Sequence, residues 1–564
     1  MISVSEKKWI ERKVNLNSVE KIKQDFNFND ILSKLIVLRN YDFIEINNII
    51  NNLKIINIFK NDKDFNLASK ILINSITLNE KICILGDYDV DGSSATSLLV
   101  RYFNHINQDH FFYIPDRVKD GYGASKKLFQ KIILQKPKLV IMVDCGSNSN
   151  EAIDYLNKNK IKSIIIDHHD INKPYPKSNA IINPKKNVNN KEQQYLCATS
   201  LTYFFIDILI QKKNSDFRLS NFLIYVLMAT ICDVMPLRKI NKIIATNVIN
   251  DFNIKTNAAF NFIFKQFGIK KKLTIDDLGY LLGPIINAGG RLGYSNYATE
   301  LLSTDNPNII KKKSIDLIKL NNKRKILEQN ILNKINFDKI KQENKNVIIY
   351  YKDNIHEGLI GIIAAKLKDY FNKPSIVLTN SNNILKGSAR STPNYNIGQI
   401  IKKLLDKKII ENGGGHNMAG GFTIKKNNFL LLDNFIQKDF SNKILAPSNE
   451  YKYDSEISMS IINNNFINEL NRLGPFGSYN LLPIFFIKNV KIIKSNIINN
   501  KHILAIIKPN IGSSIKSICF NCMNTPIGEY LLSYKKKINI IAEMNENIWN
   551  NKKTNQLNIK DIIL

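Results

Sequence analysis

The stretch KICILGDYDVDGSSATSLLV, residues 81–100, runs a short apolar segment straight into three carboxylates, Asp87, Asp89 and Asp91. KICILG has the length and branching of a buried strand, and residues 93–104 read as the helix that follows it. Carboxylates spaced by one residue at a strand end repel one another, so a positive partner is expected among them. Two more runs repeat the pattern: KLVIMV (138–143) ends in Asp144, and IKSIII (161–166) ends in Asp167-His168-His169-Asp170. A helix-like segment, 149–159, separates the two. This strand–helix–strand alternation predicts an open parallel sheet whose tips lie side by side on the ligand-binding edge of such folds. One Asp at a strand end is commonly a helix cap, and a His pair is commonly satisfied in a core. Three adjacent tips that all end in acid, one with imidazoles, call instead for a cation. Mixed oxygen and nitrogen donors suit manganese, iron or zinc, whereas magnesium prefers oxygen alone.

The chain around this stretch has 564 residues, too many for one core, so two to four domains are expected. No uninterrupted apolar run reaches the roughly 18 residues of a membrane span. The start, MISVSEKKWIERKVN, lacks the apolar core and cleavage site of a signal peptide. A soluble cytoplasmic protein, without membrane association, is the expectation. Cys83, Cys145, Cys197 and Cys232 sit singly in apolar runs, as buried thiols do. Cys519 and Cys522 form a lone C-x-x-C with no further ligands nearby, and read as thiols in a strand. The net charge is +31, from 80 Lys+Arg against 49 Asp+Glu. That excess favours polyanionic partners, nucleic acid above all. The saturation with Lys, Asn and Ile supports a second reading, a compositional bias that scatters lysines without function. Both readings stand at this point.

Further along, 197–232 is apolar on several faces and long enough for a helix pair packed on the sheet. Residues 308–345 are highly charged with apolar residues at helical spacing, and predict a long solvated helix joining two domains. A second alternating region runs from NVIIYYK (346–352) to about residue 446. LAPSNEY (445–451) reads as a linker. The short β-rich runs beyond it, PIFFIKNVKIIKS and INIIAEM among them, fit a small β-barrel.

DYDVDG followed by DHH is the signature that the DHH phosphoesterase superfamily carries, and the chain resembles that superfamily. IPDRVKDGYG (114–123), LGPIINAGGRLG (282–293), HEGLIGIIAAKL (356–367), KGSARST (386–392), GGGHNMAGG (413–421) and LGPFGSYNLLP (473–483) follow in order. Together they resemble the RecJ-like exonucleases over roughly residues 70–490. The resemblance implies an α/β architecture: an N-terminal extension (1–60), a DHH parallel-sheet catalytic domain (61–307), a connecting helix (308–345), a DHHA1 α/β domain (346–446) and an OB-type β-barrel (447–564). It implies two divalent ions, manganese or magnesium, on Asp87, Asp89, Asp144, His168 and Asp233, with Asp144 bridging. Asp233, in ATICDVMPL, would by itself read as a helix-end Asp. Asp91 and His169 belong to the motifs without being implied as direct ligands, His169 instead donating to a phosphoryl oxygen. Ser388, Arg390 and His416 resemble a phosphate-binding set, with Arg117 and Arg291 as further phosphate ligands. Phe476 and Tyr479 are stacking candidates, although core packing is the commoner fate of an aromatic.

The activity implied is 5′-to-3′ hydrolysis of single-stranded DNA to 5′-mononucleotides, in repair and recombination. A monomer is expected, working beside a RecQ-type helicase and single-strand-binding protein. Shorter DHH-family phosphodiesterases of oligonucleotides or cyclic dinucleotides share DHH and GGGH but lack the barrel. Non-catalytic DHH-derived binding factors have lost ligands that stand intact here. Manganese pyrophosphatases differ in the first motif.

Overall fold

Each expected strand of the first region forms, and two short ones join them. The computed structural model describes the chain except residues 117–119, 122, 187–191, 382–383, 442–449, 511, 534–536 and 550–551. The strands lie in the order His110–Tyr113, Ile82–Leu85, Leu139–Val143, Lys162–Ile166, Ala180–Ile182, all parallel. The three central strands are buried nearly throughout, which is why they read as continuous apolar runs rather than alternating ones. The helices Val90–His105 and Asn150–Lys158 provide the crossovers.

By backbone packing the chain divides into two units. One comprises residues 62–183 and 280–447. It holds the parallel sheet and a second sheet ordered Asn412–Gly415, Ala419–Lys425, Ile384–Arg390, Ser375–Ser381, Ile348–Tyr351. In that second sheet only the last pair is parallel. The helices Glu357–Phe371 and Ile397–Asp406 complete this α/β layer. The long helix between the sheets runs Pro307–Leu332 and stops. The reading of one helix across 308–345 passed over a break: Asn333 closes the first helix, and Asn336 caps a short second one, Phe337–Gln342, by accepting from the Lys339 N–H at 2.9 Å. Nor is the long helix wholly solvated, because Ile310, Ser314, Leu317 and Asn321, at helical spacing, are buried.

The other unit comprises residues 1–61, 184–279 and 448–564. The helix pair is Ala198–Lys213 and Leu223–Cys232, and it falls in this unit rather than in the unit of the parallel sheet. The tail is a closed barrel. Ile484–Ile498 pairs with His502–Lys508 on one side and Ile538–Trp549 on the other, and Ile515–Cys519 and Lys552–Ile563 close the ring. The first residues are built into this unit. Lys8–Glu11 pairs in parallel with Glu450–Tyr453, and Leu32, Leu35, Ile36 and Ile46 share one core with Phe485, Ile487 and Ile540 of the barrel. The Trp9 indole N–H donates to Oδ2 of buried Asp561 at 2.9 Å. All six cysteines are free thiols, Cys232 half-buried and the others buried. No described helix is long and apolar enough to cross a membrane.

Candidate metal centre and phosphate-binding residues

Three strand tips converge. Past Leu85 the chain turns through Asp87 to Asp89, whose carboxylate caps the helix Val90–His105 by accepting the Gly92 N–H at 3.0 Å. Asp91 lies in the first helical turn, where the helix dipole favours an anion. Gly92 is required here, since a Cβ on it would lie 2.5 Å from the Asp87 nitrogen. Asp144 ends the middle strand with φ +60°, a left-handed conformation a non-glycine residue adopts at a cost. Asp87, Asp91, Asp144, Asp167 and His168 are all buried, and Asp89 is half-buried.

Within the unit that holds the parallel sheet, the carboxylates and imidazoles form two overlapping groups. Ligand atoms of Asp87, Asp89 and Asp144 lie within 4.8 Å of one another, and so do those of Asp144, His168 and His169. Asp144 belongs to both. Its Oδ1 is buried without a hydrogen bond, 3.3 Å from Nε2 of His168 and 3.7 Å from Nδ1 of His169. Nε2 of His168 is also 3.6 Å from Oδ2 of Asp91. Burial, and then the carboxylates of Asp91, Asp89, Asp87 and Asp167, push the Asp144 carboxyl well above its ordinary pKa. Burial and Asp91 raise Asp89 as well. A buried carboxylate oxygen without a hydrogen bond, among acids that raise one another, fits a site for a cation. The donor set of acids plus imidazole is one that manganese accepts.

Asp167 behaves differently, and its role was not legible in the sequence. Burial alone would raise its pKa. The imidazoles of His169 and His168, with the hydrogen bonds it accepts, outweigh burial and hold it well below the carboxylate range. It accepts from Nδ1 of His169 at 2.8 Å, and from the backbone N–H groups of His168, His169 and Ser147 at 2.8, 3.1 and 3.0 Å. Asp167 therefore orients the whole His pair. Asn183 supports it, donating to the His169 carbonyl at 2.9 Å and to Ser147 Oγ at 2.7 Å. The signal available was the first letter of DHH, an acid one residue before the ligand. Nδ1 of His169 is committed to Asp167, which leaves Nε2 as the ring nitrogen it can offer.

The glycine-rich INAGGR stretch fits beneath the first motif. The Asn287 side-chain carbonyl oxygen accepts the Val90 N–H at 3.1 Å, and a Cβ on Gly290 would lie 2.6 Å from the Tyr88 carbonyl oxygen. Arg291 comes next and donates from Nη1 to the Gly358 carbonyl at 3.2 Å, at the start of the helix Glu357–Phe371. Ser388 and Arg390 face the same helix one turn on, with Ser388 Oγ 3.1 Å and Arg390 Nη2 3.0 Å from where a Cβ on Gly361 would stand. Three of the expected phosphate ligands thus gather at one helix N-terminus. His416 follows the exposed strand Asn412–Gly415, and its ring stacks on that of His169 with centroids 5.6 Å apart and planes at 25°. Asp233 closes the helix Leu223–Cys232 in the other unit and is exposed. Arg117 lies outside the described residues. Of the stacking candidates, Phe476 packs against the barrel core and Tyr479 is exposed.

The family model for the DHH family, N-terminal domain, matches residues 81–231, that for the DHHA1 domain matches 344–442, and that for the RecJ OB domain matches 453–561. Among curated proteins, the single-stranded-DNA-specific exonuclease RecJ of Bacillus subtilis is 26% identical over 570 residues, covering 99% of this chain and 71% of that protein. The RecJ of Haemophilus influenzae is 26% identical over 502 residues, covering 84% of this chain and 87% of that protein. Among solved structures, RecJ of Thermus thermophilus in complex with Mn2+ superposes with a TM-score of 0.82 at 19% identity, over 99% of this chain and 79% of that one. An exonuclease RecJ bound to manganese gives a TM-score of 0.57 at 23% identity, over 71% of this chain and 97% of that one.

Proposed function

This chain belongs to the RecJ family of DHH phosphoesterases, and from that premise we propose that it is a metal-dependent exonuclease that degrades single-stranded DNA from the 5′ end, releasing 5′-mononucleotides. The observation that carries this reading is the pair of ligand groups sharing buried Asp144. Asp87, Asp89, Asp144, His168 and Asp233 would hold two divalent ions, manganese or magnesium. When bound, the ions supply a nucleophile from water at neutral pH and offset the charge on the attacking and leaving oxygens. Asp144, common to both groups, keeps the two ligand sets in register.

Asp167 pairs with Nδ1 of His169 and holds the ring in place, and His169 donates to a phosphoryl oxygen. Arg291, Ser388, Arg390, His416 and Arg117 hold the strand's phosphates and set its position, a task separate from the chemistry. The 3′ oxygen is then the leaving group. A site that admits one strand accounts for selection against duplex. We place the enzyme in the cytoplasm as a monomer, in repair and recombination, with a RecQ-type helicase and single-strand-binding protein as partners. The barrel counts against a phosphodiesterase of short oligonucleotides or cyclic dinucleotides, and the intact acids count against a non-catalytic binding factor.

The test is incubation with 5′- and 3′-labelled single-stranded and duplex DNA, with manganese, magnesium or excess chelator. Early release of labelled mononucleotide from the 5′-labelled single strand, abolished by chelator, is expected. Early release of the 3′ label, equal attack on duplex, or full activity in chelator would overturn the reading.

A further inference from the structure

Twenty-two described non-glycine residues have positive φ, and fourteen of them are Asn. Asn adopts the left-handed region at low cost, so this chain has a ready solution for such turns. Two positions decline it with apolar side chains. Val234 has φ +55° and Tyr479 has φ +59°, in the region least accessible to β-branched and bulky residues. Both are exposed, at 69% and 70%. Nothing in a surface turn rewards that choice unless the side chains have a task.

The two turns are joined. The Leu237 N–H, three residues past Val234, donates to the Ser478 carbonyl at 2.8 Å. Gly477 lets the loops close, since a Cβ there would lie 2.6 Å from Leu237 Cδ1. On the other flank of Tyr479, fully buried Asn480 fixes the loop. Its Nδ2 donates to the carbonyls of Leu473 and Pro475, both at 2.9 Å, and its Oδ1 accepts from the Tyr41 hydroxyl at 2.5 Å. Lys242 Nζ donates to that hydroxyl at 2.8 Å. The backbone of Tyr479 is thus held on both sides in a conformation its own side chain disfavours, which is how strain persists at functional positions. Leu481, 66% exposed, extends the apolar surface.

We infer that Tyr479 is a stacking platform for a nucleobase of the single-stranded substrate. The inference rests on the exonuclease reading. An exposed aromatic ring suits the face of any base, whereas phosphates go to the arginine-bearing groups. The platform is therefore sequence-tolerant, as an exonuclease that removes every nucleotide in turn requires.

The test uses the full chain in chelator, with a labelled oligothymidylate and a matched strand of abasic residues. Tyr479→Asn keeps the left-handed turn and removes the ring, so the variant should melt at or above the wild-type temperature. It should bind oligothymidylate about tenfold more weakly than wild type and bind the abasic strand equally well. Tyr479→Phe should keep wild-type affinity. With metal, Tyr479→Asn should raise KM and leave kcat unchanged. Wild-type affinity of Tyr479→Asn for oligothymidylate would overturn the platform and leave the exonuclease reading standing, and the patch would then serve a protein partner. Failure of the wild type to bind either strand would overturn the exonuclease reading itself.

Discussion

Replacing Asp144 by Asn should make the metal-free protein more stable and the metal-treated protein less so. Ligand atoms of Asp87 and Asp89 lie within 4.8 Å of one on Asp144. At an effective dielectric constant of about 20, two unit charges at that separation repel by about 3 kcal/mol, and Asp144 faces two such neighbours. The apo protein relieves part of this by raising the Asp144 pKa, so the repulsion that Asn removes is smaller than the full sum, about 1–3 kcal/mol. Asn is nearly isosteric, so little packing is lost. A unit of about 290 residues gains about 1–2 °C in melting temperature per kcal/mol, and the apo variant should melt a few degrees above apo wild type. With Mn2+ at a hundredfold excess over its dissociation constant, wild type should gain about 2.7 kcal/mol by mass action. The variant, missing the shared ligand, should gain almost nothing and hydrolyse no DNA. Thermal melts of both proteins, in chelator and across a Mn2+ titration, read both arms. A variant that melts with apo wild type and still responds fully to Mn2+ would refute the claim that Asp144 is the shared, charge-crowded ligand.

Arg390→Ala should weaken binding of single-stranded DNA severalfold while sparing single-turnover chemistry at saturating DNA. Unchanged affinity with a slowed chemical step would contradict its placement among the phosphate ligands. Gly290→Ala would put a methyl 2.6 Å from the Tyr88 carbonyl oxygen and displace the first motif. It should lower Mn2+ affinity at least tenfold with only a modest loss of stability, read by Mn2+-dependent melts. Burial pushes the Lys242 ammonium down to about 7 from 10.5. The unfolded chain therefore binds the extra proton between those values, and the stability contribution is lost as pH falls from 10.5 to 7 and is flat below. Lys242→Met should stabilise the protein at pH 7 by about 2–3 kcal/mol, once the contact of the ammonium with the Tyr41 ring is set against its burial cost. The advantage should shrink toward pH 10 in melts of the two proteins, and a pH-independent difference would contradict the assigned pKa.

The parallel sheet was legible because its central strands are buried on both faces and leave uninterrupted apolar runs, each punctuated by acid. His110–Tyr113 and Ala180–Ile182 were missed because they are short, and the first is only half-buried. The acids and histidines at the three strand tips were legible as candidates for holding a cation, since carboxylates at neighbouring tips need a common partner, whereas the ligand set itself, Asp233 included, was implied by the family resemblance. The barrel could be named from its short β-rich runs. The break at Asn333 escaped, because the apolar spacing continues past it while the caps that end one helix and start the next are single Asn residues in an Asn-rich chain.

Other features belong to the tertiary structure alone. Residues 1–60 carry no motif, yet their helices share the core of a barrel more than 400 residues away in sequence. Apolar spacing states that a face is buried but not against what. Asp167 and Asp144 end neighbouring strands with the same residue type. The histidines and backbone N–H groups around Asp167 pull its pKa down, and the surrounding carboxylates drive that of Asp144 up. The valine of DVMP looks ordinary as a letter, and the tyrosine of GSYN could be named only as one of two stacking candidates. Only the folded backbone, held by Asn480 and Leu237, sets them in the left-handed region with their side chains outward. Residue type and spacing determine which groups are available and on which element they lie. The sign of a pKa shift, the partner of a buried face and the strain in a turn depend on neighbours brought from distant parts of the chain, and those neighbours exist only once the chain has folded.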